Sequence, residues 1–273
     1  EELRTLNLAG TGTSNETLDT ITQFLVRAVD SNGSGGGFAW LNKLILTDTE
    51  ISDAGLKNLS RLKHLFALHL DGTKVGDKGL EQIALLPDLQ DLWLDRTGVS
   101  DTGLAGLSNS HKLRTLSLKR TEITDEALTQ IGGPIQELAL SHTRVSDTGL
   151  RTLASKEQLQ VLELAGTAVT DSGLETIAQL PNLRVIDLGA TSISDLGVAT
   201  LKTLPALYEL RLDRTAITDQ AAESLSLFEA LGEVSLDGTR VAADGKALLG
   251  RKRPELAVEL EFASAKREGR LKN

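Results

Sequence analysis

A 24-residue period limits this chain to very few folds. The stretch Leu89–Lys112, LQDLWLDRTGVSDTGLAGLSNSHK, has the skeleton L-x-x-L-x-L-x-x-T-x-V-S-D-x-G-L, and versions of it recur along the whole chain. The middle residue of the L-x-x-L-x-L core falls at Leu6, Leu44, Leu68, Leu92, Leu116, Leu138, Leu162, Ile186, Leu210, Val234 and Val258. Eight of the ten steps are 24 residues, the first is 38 and the step from Leu116 is 22. Periods of this length mark stacked supersecondary units rather than one closed core. A unit of this size buries too little apolar surface to offset the entropy of ordering it, so each needs its neighbours.

Within a unit, x-L-x-L-x alternates with period two, the pattern of a short strand with one buried face. A turn with Thr and a Val or Ile follows. Asp then precedes a segment with apolar spacing of three, as in Asp101, Leu104 and Leu107. Asp is a preferred helix N-cap, so it is expected to cap a short helix here. Strand, turn, helix and return make a crossover to a parallel neighbour, which is right-handed. The expected fold is α/β: a right-handed solenoid of about 11 strands, with a parallel sheet on the concave face and short helices on the convex face.

The L-x-x-L-x-L-x-x-[N/C]-x-L pattern is the leucine-rich-repeat signature, and the chain resembles that family over nearly its full length. The departure is at the ninth position, which is Thr in every complete repeat from Thr11 to Thr239. The ten threonines in register read as a structural ladder, their hydroxyls bonding the turn. The resemblance implies a ribonuclease-inhibitor-like horseshoe and a role in binding other proteins. The I/V-[ST]-D-x-G-L form is similar to repeats of bacterial extracellular or multidomain proteins and of F-box-type substrate receptors, although no F-box is visible. It implies an exported or cell-surface bacterial setting.

The solenoid is expected over residues 1–262, with a charged tail, ASAKREGRLKN, at 263–273. The 14 extra residues of the first unit place an insertion loop at about 27–38, containing DSNGSGGG. Its glycines lack GxxxxGK[ST], so a surface excursion is favoured over a phosphate cradle. The short unit at Gly132, Gly133 and Pro134 is expected to trim or lose its helix. Val241–Asp244 lacks the usual capping Asp, and Glu255 replaces a first leucine, as suits a terminal repeat. With no Met and a strand pattern next to Glu1, the sequence reads as a fragment or processed form.

The net charge of −9 argues against nucleic acid as a partner, since phosphate binding needs clustered Lys and Arg. No apolar run reaches the roughly 18–20 residues of a membrane span. The absence of Cys removes disulfides, thiolate metal sites and cysteine nucleophiles. No GxSxG or HExxH motif is present. The expectation is a monomeric, non-enzymatic protein with no cofactor.

Residues between the leucines point onto the concave face in columns across the strands. Ile45, His69 and Trp93 are consecutive in the central column, flanked by Asp71, Asp91, Asp95 and Arg96. An outward Trp beside an outward Ile, rimmed by charge, reads as a hot spot for another protein. Glu209, Asp213, Glu233, Asp237, Glu259 and Glu261 form a second, acidic patch. Mutual repulsion there invites a basic partner or a hard cation, with a solvated acidic face as the plainer reading. Two other roles fit the same repeats: a spacer in a larger chain, or a regulatory subunit such as a GTPase activator.

Overall fold

A computed structural model describes residues 3–30 and 41–259. Eleven three-residue strands form one parallel sheet in strict sequence order. They are β1 (Thr5–Asn7), β2 (Lys43–Ile45), β3 (Ala67–His69), β4 (Asp91–Trp93), β5 (Thr115–Ser117) and β6 (Glu137–Ala139). β7 (Val161–Glu163), β8 (Val185–Asp187), β9 (Glu209–Arg211), β10 (Glu233–Ser235) and β11 (Ala257–Glu259) continue it. Each middle apolar residue pairs with the next: Leu68 with Leu92, Leu92 with Leu116, Leu116 with Leu138. The 24-residue period is thus a spatial register, and the unbroken ribbon forms one face of a solenoid.

From β2 to β10 the apolar residues on either side of the central outward position, such as Leu68 and Leu70, are buried and join one core, against which Leu6, Leu8 and Val258 of the terminal strands pack partly buried. Across the core lie the helices α1 (Asn15–Asp30), α2 (Asp77–Ile83), α3 (Asp101–Leu104), α4 (Asp125–Gln130) and α5 (Asp147–Leu150). α6 (Asp171–Ile177), α7 (Asp195–Thr200), α8 (Asp219–Leu225) and α9 (Ala243–Lys252) follow. In the second coil a 3₁₀ turn, Asp53–Leu56, takes the helical position. The expected insertion loop at 27–38 needs correcting at its start, because residues 27–30 belong to α1. Its remainder lies outside the described residues, as does the tail at 263–273.

The ten threonines form the expected ladder. Each hydroxyl donates to the carbonyl of the leucine three residues earlier, at 2.5–2.8 Å, from Thr11 on Leu8 to Thr239 on Leu236. The residue before each threonine has positive φ: Gly at 10, 72, 166 and 238, and Asp48, Arg96, Arg120, His142, Ala190 or Arg214 elsewhere. Non-glycine residues are uncommon in this region, so the turn geometry overrides local preference at six coils.

The repeated Asp does not cap its own helix. It is the first helical residue, and the Ser or Thr before it occupies the cap, as at Thr124, Ser146, Thr170, Ser194 and Thr218. The carboxylate instead reaches the following coil. Asp147 accepts from the Thr170 amide at 2.8 Å and its hydroxyl at 2.6 Å. Asp77 does the same with Ser100, Asp101 with Thr124, Asp125 with Ser146, Asp171 with Ser194 and Asp195 with Thr218. At Thr124, Ser146, Thr170, Ser194 and Thr218 the donating hydroxyl also accepts a first-turn amide of its own helix, for example Ser172 N–H onto Thr170 at 3.3 Å. Local capping and coil-to-coil attachment therefore share one hydroxyl. Asn15 performs the same task toward Ser52 in the first coil.

The 22-residue unit trims its helix, as expected: α4 has six residues with no 3₁₀ turn after it, against seven in α2, α6 and α8. The return is shortened as well, and in it Gly133 takes φ 76° and packs against the backbone of the preceding coil. At the far end α9 is capped by Ala242, which has no side chain to offer, yet its amide still donates to Asp219 at 2.7 Å.

The Asp attachment predicts a stability effect. Replacing Asp147 with Ala leaves the Thr170 amide without its acceptor, so a loss of about 1–3 kcal/mol of stability is expected, read as a lower urea midpoint. Asp147→Asn keeps one oxygen acceptor and should lose less. An Ala variant matching the parent would show that the stitch is not stabilising.

Candidate functional site

The alternation that buries Leu68, Leu92 and Leu116 turns their neighbours onto the concave side, where no core residue competes for the space. His69 and Trp93 are directly paired in the sheet, and their rings stack with centroids 3.8 Å apart and planes 3° from parallel. They stand on the concave side as expected, outside the hydrophobic core. They are not open, however: His69 is 3% and Trp93 7% exposed. A broad, outward-facing hot spot is therefore corrected to a closed aromatic stack. Its polar edge is incomplete, because Trp93 Nε1 is buried without a hydrogen-bond partner among the described residues.

The rim residues divide by task. Asp71 accepts from the Asp95 amide at 3.1 Å and the Thr47 hydroxyl at 3.3 Å. Asp95 accepts from the Ser117 hydroxyl at 2.5 Å and the Lys119 amide at 2.9 Å. These two aspartates stitch neighbouring strands, which removes them from the free rim. Arg96 is exposed and donates to Asp48 at 3.0 Å, two coils back. Ile45 and Asp91 are half-buried and remain on the surface of the sheet.

The acidic patch is also corrected, in part. Glu209 and Asp213 are buried rather than solvated. Arg211 donates to Glu209 of its own strand at 2.8 Å and 2.5 Å and to Asp187 of β8 at 3.4 Å, so a cation already joins β9 to β8. Asp213 accepts from the Asp237 amide at 2.9 Å and from the Ser235 hydroxyl. Glu233 and Glu259 are half-buried, and Glu261 lies outside the described residues. Among the described residues, no group of three or more His, Asp or Glu side chains could hold a metal ion.

A different concentration of charge emerges between the two clusters. Lys119 on the concave side lies 3.2 Å from Glu163 and 3.9 Å from Asp95. Burial pulls its pKa down, but these carboxylates outweigh it and hold the ammonium above its ordinary value. Asp187 is pushed above the usual carboxylate range by burial, against the Gly189 amide and Arg211. Asp91 is raised by burial, and Glu137 by burial and by the negative charges of Asp91 and Glu163. Asp91, Thr115 and Glu137 form the column before the middle leucines. Reading that column alongside the central one would have brought Glu137 out of the sequence.

The comparisons agree with this architecture. A family model described as Leucine Rich repeat matches residues 39–60, 61–84, 109–132, 134–154 and 158–178. The matched residues are leucine-rich repeats, a repeat class that generally mediates protein–protein interaction and is typically non-enzymatic. Among solved structures it is similar to an internalin (inlF) from Listeria monocytogenes str. 4b F2365, with a TM-score of 0.63 and 21% identity. The match covers 82% of this chain and 62% of the internalin chain, and at this identity it is a likeness of fold. Comparison with curated proteins gives no match. No helix among the described residues is long and apolar enough to cross a membrane.

The raised carboxylates carry a sign. Glu137 binds its proton more tightly folded than unfolded, so it lowers stability as pH rises from its unfolded value of 4.5 through its raised folded value. Above that window the penalty is constant, and below 4.5 it is absent. Glu137→Gln is therefore expected to melt higher than the parent at pH 7, with the gap closing as pH falls toward 4.5. A gap that widens on acidification would contradict the assignment.

Proposed function

We propose that the protein is a recognition module whose concave sheet binds another protein, centred on the strands that carry Ile45, His69, Trp93 and Asp91. The observation that supports this most is the division of labour within the repeat. Leucines, threonines and helix-start aspartates recur because the coil needs them. The concave positions between the leucines vary from coil to coil: Ile45, His69, Trp93, Ser117, Ala139, Glu163, Asp187, Arg211. A surface that is regular in backbone and irregular in side chain suits a specific partner.

Within that surface, Ile45 supplies apolar area and Asp91 charge, while the His69–Trp93 stack forms a rigid floor. Aromatic residues at the centre of an interface commonly carry a large share of binding energy. Asp71, Asp95 and Arg96 hold the neighbouring strands and turns in place, so their contribution to binding is through positioning.

The test is affinity capture with the full chain, against Ile45→Ala and Trp93→Ala variants whose folding is checked by circular dichroism. Loss of a captured protein of about tenfold or more with each variant is expected, at unchanged secondary structure. Capture indifferent to both substitutions would place recognition elsewhere or leave the arc as a spacer.

A further inference from the structure

One corner of the core is filled by a column of large apolar side chains, and that column is interrupted. Six positions before the middle apolar residue of a strand, on the return from the helix, stand Leu62, Leu86, Leu180, Leu204 and Phe228, all buried. On the returns into β5, β6 and β7 the same position holds Ser110, Gly132 and Lys156. Three adjacent coils thus forgo apolar burial that the coils on either side keep. The return into β6 is also the short one. A Cβ at Gly132 would lie 2.4 Å from the Ser108 carbonyl oxygen, and one at Gly133 2.6 Å from that of Leu113, so this return is pressed onto the coil before it.

At this place a cavity of about 480 Å³ opens between the returns. His111 lines it from the return into β5, Gly133, Pro134 and Ile135 from the return into β6, and residues 155–158 from the return into β7. Its size falls within the roughly 300–1,000 Å³ of small-molecule sites. Pro134 and Ile135 give it an apolar side.

Charge at the cavity is not balanced by the fold. Lys156 is half-buried, and its ammonium donates to the Ile131 carbonyl at 2.7 Å. It forms no ion pair among the described residues. Burial holds its pKa below the usual lysine value, with no neighbouring charge acting against it. Lys119, by contrast, has carboxylates that outweigh its burial. An ammonium carries three donors, so two are left for a ligand. An anion against it would offset the lost hydration. One ammonium and the exposed Glu157 at the same cavity favour a single negative charge over a doubly charged phosphate.

We propose that this cavity, on the return edge of the solenoid and apart from the concave sheet, binds a small organic monocarboxylate. The carboxylate sits on the Lys156 ammonium and the apolar body rests against Pro134 and Ile135.

The test is a nuclear magnetic resonance titration of the isotope-labelled full chain with sodium benzoate and, separately, sodium acetate. Each is taken to about 50 mM, as the weak affinity of so few atoms requires, at constant ionic strength. Saturable shifts are expected at the amides of His111, Gly133 and Lys156. Lys156→Gln keeps a donor for the Ile131 carbonyl and removes the charge, and should weaken binding about fivefold or more with the other amide signals unmoved. Lys202→Gln, an exposed lysine on another return, should leave it within about twofold. Benzamide, the uncharged counterpart, should give no saturable shift, a comparison that needs no variant.

No saturable shift with either carboxylate would overturn the proposal, as would benzamide matching benzoate or Lys156→Gln matching the parent. Inorganic phosphate moving the same amides at lower concentration than benzoate would also overturn it. Failure of the protein-capture experiment would leave this result untouched, since the cavity is lined by returns and not by the strands.

Discussion

Every coil of this protein is incomplete until the next one is laid against it. A three-residue strand leaves its hydrogen-bonding groups open at each edge, and the parallel neighbour closes them in register. On the helix side the same closure is made by the carboxylate at each helix start, which reaches an amide and a hydroxyl in the following coil. Between these two seams lies the leucine core, which is continuous because both seams hold the same register. The solenoid is the form in which backbone pairing, carboxylate stitching and apolar burial agree coil after coil.

That agreement leaves one surface unassigned. The turn threonines spend their hydroxyls on leucine carbonyls, and the helix-start aspartates spend their oxygens on the next coil. Some concave side chains are also drawn into the frame: Asp95 and Asp213 bind neighbouring strands, and Arg211 neutralises Glu209. What remains is narrower than the whole concave sheet. It is a strip around Ile45, the His69–Trp93 stack, Asp91 and Glu137, whose side chains the coil itself does not repeat.

The fold was legible in the sequence because its determinants are periodic. Leu68, Leu92 and Leu116 announce both their spacing and their burial, and Thr167 sits where a hydroxyl closes the turn. The helix-start Asp was misread, since a cap within its own helix and a stitch to the next coil leave the same letter at the same position. The distinction lies 23 residues away, in a Ser or Thr whose amide must be reached in space. The left-handed residue before each threonine was equally hidden, because Arg96 or Ala190 there gives no local sign of positive φ.

The site was legible only in part. Which side Trp93 faces follows from alternation, but how closed it is depends on stacking against His69, a contact between residues 24 apart. Glu209 and Asp213 looked like a repelling pair until Arg211 and the Ser235 hydroxyl were seen to meet them. Glu137 was missed because columns on either side of the leucines have to be considered together. The most direct measurement is carbodiimide footprinting of carboxylates in the free chain and in its complex with a captured protein. Protection of Asp91 and Glu137, with Glu126 and Glu223 labelled equally in both states, is the predicted result. Protection on the helix side with Asp91 and Glu137 unchanged would contradict the account.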